Sequence, residues 1–338
     1  MYIRNNSFFL LVLLLLFACN NDVKKEPINV EVDETKYVID STYVKGDLRR
    51  YGIHPDKYFS RKQWDKVLDL ASEGMPLTFK KGTYYGNLIF DGVKDVNIFF
   101  DDATIAGEIQ IINNGDRTSQ GISLLGEVTV LDKVFIRKSE KIEFGNLYIY
   151  SDTINDVYQK NRGLSIYAGS KDIKIDTLKI NDTGGNSEKR YKFTAAAMQV
   201  HGHNDNPERI EINVLKITNA ARSGIYLTGN DHKIRKITIE NFGFGSNISM
   251  FGLEDAKPEA HKLFSGAWFN KCNDCTIDTL VIKSRKNSKA YSARFDLGTY
   301  SKPCIINNIK FEGEAKKMPI EDDVLTNVLV KNVLKDDN

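Results

Sequence analysis

SGIYLTGNDHKIRKITIEN, residues 223–241, decides the fold. Apolar side chains occupy every second position at Ile225 and Leu227, stop at Gly229, and resume at Ile234, Ile237 and Ile239. Period-two alternation means half-buried strands. Alone, the stretch reads as a hairpin. The same phrase recurs, however, in GLSIYAGSKDIKIDTLKI from Gly163, AAMQVHGHNDNPERIEINVLKI from Ala196, SGAWFNKCNDCTIDTLVI from Ser265 and SARFDLGTYSKPCIINNIKF from Ser292. Looser copies start at Asn87, Glu108 and Lys133, and a partial one at Val324. Each unit is a short strand, a Gly/Asn/Asp turn, a second strand, a bend and a third strand. Units repeating every ~20–40 residues indicate a solenoid. Strands in threes predict a right-handed parallel β-helix, each coil adding one strand to three parallel sheets. About nine or ten coils at ~4.8 Å spacing would make a rod of ~45 Å. A β-sandwich would lack the three-strand phrase.

A solenoid must cover its apolar ends. SRKQWDKVLDLASEG, residues 60–74, has a capping box in Ser60 and Gln63 and helically spaced Trp64, Val67, Leu68 and Ala71, with Gly74 past the end. This predicts an amphipathic helix that plugs the first coil. The order of capping helix, apolar strand, GTYYG (residues 82–86) and coils resembles the start of the pectate-lyase-like superfamily. That resemblance covers Ser60 to the C-terminus. It implies the β-helix, and it is specific for fold but weak for activity. Its members are mostly polysaccharide lyases and glycoside hydrolases, with some phage spikes and binding proteins.

The first residues read differently. Arg4 precedes an apolar run, Phe8 to Phe17, which is too short for a membrane span and fits a secretory signal. The run ends in LFAC, which resembles the bacterial lipobox. The resemblance implies a signal peptide over 1–18, acylation of Cys19, and a bacterial cell-envelope location (outer membrane, periplasmic or surface-facing) through the lipid anchor. Residues 19–45 read as a tether and 46–338 as a single β-helix domain. The chain of 338 residues carries a net charge of +2 with both signs evenly spread, which excludes a nucleic-acid footprint. Cys272, Cys275 and Cys304 remain. The CNDC spacing lacks the second ligand pair of a zinc site, so these read as core or turn thiols, with a disulfide open outside the cytoplasm.

Parity separates the faces of each first strand. Leu164 and Ile166, Met198 and Val200, Ile225 and Leu227, Ala267 and Phe269, and Ala293 and Phe295 point inward. A one-residue slip would bury Arg294 and Asp296. One outer face is therefore expected to carry Tyr167, His201, Tyr226, Trp268 and Arg294 on successive coils. Gln199, Asn270 and Asp296 lie between them, and Arg137 and Gln110 on earlier coils. Aromatic rings beside amides and charges suit a sugar, whose apolar faces stack and whose hydroxyls hydrogen-bond. Two insertions, 181–195 and 240–264, would wall the face. Lys189, Arg190 and Lys192 on the first, with Arg137 and Arg294, suggest an acidic polysaccharide or oligosaccharide as partner.

Hydrolysis needs two facing carboxyl groups, and only Asp296 is expected there. Elimination from a uronate needs a base, an acid and a cation that neutralises the carboxylate. His201 as base, Tyr226 as base or acid, and Arg294 with Arg190 on the carboxylate supply them. The leaving group would make the enzyme a polysaccharide lyase or a chain-end oligosaccharide dehydratase. The competing reading is a non-catalytic glycan-binding surface lipoprotein, with a β-helical glycoside hydrolase behind both. HGHND and GNDH, in equivalent turns, would let His203, Asp205, Asp231 and His232 converge on a divalent cation such as Ca2+. Turn geometry alone also accounts for such residues.

Overall fold

The structure is a computed structural model; it describes residues 32–154, 158–185, 188–245, 264–285, 290–295, 301–313 and 327–334. The signal peptide, Cys19, Asp296 and most of the second insertion lie outside the described residues.

The expected β-helix is present. Strands β1 (Leu77–Phe79) and β2 (Gly82–Tyr85) enter it. Short and long strands then alternate. The short ones are β3 (Leu88–Asp91), β5 (Glu108–Ile112), β7 (Lys133–Arg137), β9 (Gly163–Tyr167), β11 (Ala196–His201), β13 (Ser223–Asn230), β15 (Ser265–Asn273) and β17 (Tyr291–Phe295). The long ones are β4 (Lys94–Ala106), β6 (Ser119–Val130), β8 (Ser139–Ile149), β10 (Lys171–Thr183), β12 (Glu208–Ala220), β14 (Lys233–Phe242), β16 (Thr276–Lys283) and β18 (Cys304–Glu312). β19 (Val328–Leu334) closes the described chain. From β3 to β16 each strand pairs in parallel with the one two places on, short with short and long with long; β1 and β2 both pair with β4, and β18 pairs with β19. Parallel ladders rule out the sandwich.

Each long strand spans two faces. In β10, Ile173 and Ile175 point inward, Asp176 and Thr177 both point outward, and Leu178 and Ile180 return to the core. That pair of outward residues is the bend read between the second and third strands. With the short-strand face, the section is three-sided. Inward residues stack from coil to coil, as in Phe144–Ile175–Ile212–Ile234–Ile277–Ile306. Burying each such side chain contributes roughly 1.5–3 kcal/mol, which fixes the register of every rung.

Helix α1 (Arg61–Ser72) plugs the first coil, and both hydrogen bonds of the Ser60–Gln63 box are made. Trp64 is fully buried among Phe59, Phe79 and Phe90 and donates its indole N–H to the Ile89 carbonyl at 3.1 Å. The tether ends earlier than expected. Val32 packs into the core, and Glu34 accepts hydrogen bonds from Arg50 and Tyr51, so residues 32–45 belong to the compact unit. Cys272 and Cys275 are joined as a disulfide, and Cys304 is a buried free thiol.

Candidate functional site

The outer surface of the short-strand face carries two neighbouring columns of side chains. One runs Gln110–Phe135–Ser165–Gln199–Tyr226–Trp268–Arg294 through directly paired positions. The second runs Arg137–Tyr167–His201, two residues further along each strand. The five residues expected on successive coils therefore share one face but not one column. Side chains close the gap. The His201 ring lies 4.4 Å from Tyr167 and 5.8 Å from Tyr226, both edge-on. Tyr226 lies 4.7 Å from Trp268, and the Arg294 guanidinium covers the Trp268 ring at 4.1 Å. At the other end Tyr167 is 6.3 Å from Phe135, over which the Lys133 ammonium sits at 4.4 Å. An unbroken row thus joins Lys133 to Arg294 across six coils.

Two hollows adjoin along this row and share Ala195, His201 and His203. The first, about 360 Å³, is bounded by Lys133, Phe135, Arg137, Tyr167 and Phe193. The second, about 280 Å³, is bounded by Asn204, Asn206, Tyr226, Thr228, Trp268, Asn270 and Lys271. Burial pushes the Lys133 ammonium down from its ordinary value. Neither Lys133 nor Arg137 has a carboxylate partner among the described residues. His201 is pushed down to about 4, first by burial and then by the charge of His203. Its imidazole is therefore neutral near pH 7, and neither ring nitrogen has a hydrogen-bond partner among the described residues.

Other expected site residues are already engaged with neighbours, and only Gln199 and Asn270 among them line a hollow. Gln199 is buried: its amide donates to Ser165 Oγ at 2.8 Å and the Phe193 carbonyl at 3.0 Å and accepts from the Ala195 N–H at 3.2 Å. It ties the first insertion to the sheet, and both of its N–H donors are used. Asn270 lines the second hollow and donates to the Tyr226 hydroxyl at 2.8 Å. Arg190 does not reach either hollow. It pairs with Asp132 at 2.7 Å, which also holds Arg162, itself paired with Glu108. Gln110 donates to Glu108 at 2.7 Å. Arg294 is spent on Trp268 and has a further partner. The cations available to an anion are Lys133 and Arg137 instead.

Lys133 and Phe135 join the row beyond the expected residues; parity in KVFIR places both outward with Arg137, since Val134 and Ile136 are buried. Phe193 lies in the insertion expected to wall the face and Asn204 in the HGHND turn, but loops without periodicity do not show which of their side chains reach the hollows.

The four turn residues considered for a cation do not converge. His232 is fully buried: Nδ1 accepts from the Ile210 N–H at 3.2 Å, and Nε2–H donates to the Thr228 carbonyl at 2.9 Å. His203 and Asp231 occupy left-handed backbone positions, φ 57° and 58°. Short polar residues tolerate that conformation without any ligand. Among the described residues no cluster of three or more His, Cys, Asp or Glu could hold a metal.

Fold and face together define a parallel β-helical protein with a row of aromatic rings along its short-strand face. No family model matches the chain, and no curated protein matches its sequence. Among solved structures it is similar to the crystal structure of PfbA, a surface adhesin of Streptococcus pneumoniae. The two are 12% identical over 85% of this chain and 83% of that one, with a TM-score of 0.49.

Proposed function

We propose that the short-strand face binds an acidic glycan along the axis of the β-helix. The observation that carries this reading is the unbroken row from Lys133 through Tyr167, His201, Tyr226 and Trp268 to Arg294. The rings of Tyr167, His201, Tyr226 and Trp268 are only half-buried and so present apolar surface at successive coils, which repeat every ~4.8 Å. Lys133 and Arg137 would neutralise carboxylates or sulfates. An anchor on Cys19 would hold this face at the bacterial cell envelope; the apolar run followed by LFAC supports it.

β-Elimination is the second reading, favoured by a neutral His201 with open nitrogens between two tyrosines. In it His201 takes the proton from C5 of a uronate, and the C5–H electrons form the C4–C5 double bond. The C4–O bond breaks, and the leaving oxygen takes a proton from Tyr167 or Tyr226. Lys133 and Arg137 hold the carboxylate and its enolate-like charge. A base near pKa 4 is weak, but a carboxylate brought beside it raises the value. If the leaving oxygen belongs to the next sugar the activity is that of a lyase; if to a free hydroxyl, of a dehydratase. No two carboxylates line either hollow among the described residues, which leaves hydrolysis without its pair.

The test is a panel of uronate-containing glycans, read by calorimetry for binding and by ultraviolet absorbance for the unsaturated product. Binding that Arg137→Gln weakens supports the first reading. Absorbance that His201→Ala abolishes supports the second. New reducing ends without absorbance would favour hydrolysis, and no binding across the panel refutes the proposal.

A further inference from the structure

The two hollows differ in chemistry, and that difference bears on what kind of glycan would fill them. The first has Lys133 and Arg137 without carboxylate partners, beside Phe135, Tyr167 and Phe193. An anionic group there meets a half-buried ammonium, Lys133, and an exposed guanidinium, Arg137, and can take charge-assisted hydrogen bonds from both. The second is amide- and ring-lined. Asn204, Asn206, Thr228, Tyr226 and Trp268 line it, together with Lys271, which already has a partner. Such a pocket satisfies hydroxyls and an apolar ring face but offers no uncommitted charge to a carboxylate. A carboxylate placed there would meet only the already partnered Lys271 and a neutral His201 that must first take up a proton, a poorer match than the two cations of the first hollow. Trp268 reinforces the distinction: Arg294 covers one surface of its ring, so its cationic head is committed to the indole.

We infer that the ligand is a mixed-charge glycan, with an acidic sugar in the first hollow and a neutral sugar in the second, rather than a homopolymeric polyuronate. This rests on the glycan-binding reading above and narrows its ligand class. The hollows meet at His201 and His203, and their central coils, β9 and β13, are two rungs apart. At ~4.8 Å per rung that is ~10 Å. Both sugars thus belong to one short oligosaccharide.

The experiment is calorimetric titration of the whole chain with three sets of tetrasaccharides. One is homopolymeric (galacturonate only), one is neutral (cellotetraose), and one mixes the two kinds (glucuronate with N-acetylglucosamine, glucuronate with rhamnose, galacturonate with rhamnose). At least one mixed ligand should bind about tenfold or more tighter than either homogeneous set. Arg137→Gln should lower its affinity toward that of the neutral set, and Trp268→Phe toward that of the polyuronate. The comparison among ligands uses the unmodified protein, so it stands even if a variant misfolds. Tetra-galacturonate binding as tightly as every mixed ligand overturns the inference while leaving acidic-glycan binding intact. Absence of binding to all acidic ligands overturns both.

Discussion

The buried histidine between coils makes a sharp prediction about acid stability. His232 bridges two coils by accepting from the Ile210 N–H and donating to the Thr228 carbonyl, and burial pushes its pKa from 6.5 to about 4. Its folded pKa therefore lies below its unfolded one. In the window between them the unfolded chain binds a proton that the folded chain refuses, so stability is present above 6.5 and is lost as pH falls toward 4. For a shift of this size the loss from this one group is about 2 kcal/mol by about pH 5 and about 3 kcal/mol near pH 4. His232→Gln isolates it. The variant does not titrate and leaves the Ile210 N–H poorly satisfied, which costs about 1–3 kcal/mol near neutrality. Urea unfolding of both proteins, measured across the window, should show the wild type's advantage shrinking by about 2 kcal/mol between about pH 7 and pH 5. Curves that stay parallel would refute the account, because they would mean that His232 gains no protons on unfolding.

Two further outcomes follow from other parts of the molecule. Gln199→Leu should destabilise the protein by about 1–3 kcal/mol, since the Phe193 carbonyl and Ala195 N–H lose their partner. It should also weaken glycan binding, because Phe193 and Ala195 border the first hollow; a lower melting temperature with unchanged affinity would show that the wall's position does not matter. Binding of a uronate should draw a proton onto His201, since an adjacent carboxylate raises a value that sits at about 4 in the free protein. Affinity should then climb as pH falls from neutrality toward that value, an effect absent in His201→Gln; calorimetry in buffers of different ionisation heat reads the uptake, and pH-independent affinity in the wild type counts against it.

Much of the candidate site was legible because a solenoid converts sequence period into spatial column. Once Ile225 and Leu227 are inward, Tyr226 must be outward, and the same parity assigns Tyr167, His201, Trp268 and Arg294. The division into two columns was not legible from parity, which separates inside from outside but not one outward position from the next. The committed states of Gln199 and Arg190 were not legible either. Each is held by a residue distant in sequence, Ser165 at 34 residues and Asp132 at 58. No local pattern records such pairings.

By itself the sequence determined the β-helix, its capping helix, its inward stacks and the face on which aromatic residues collect. These depend on period and on the free energy of burying apolar side chains, both of which are local or additive along the chain. Only the tertiary structure decided which polar groups on that face remain available. Lys133 and Arg137 lack carboxylate partners among the described residues, while Arg190, Arg294, Gln199 and His232 are occupied. Hydrogen bonds and ion pairs act over a few ångströms between loops whose approach no period encodes, so their assignment waits on the folded coordinates.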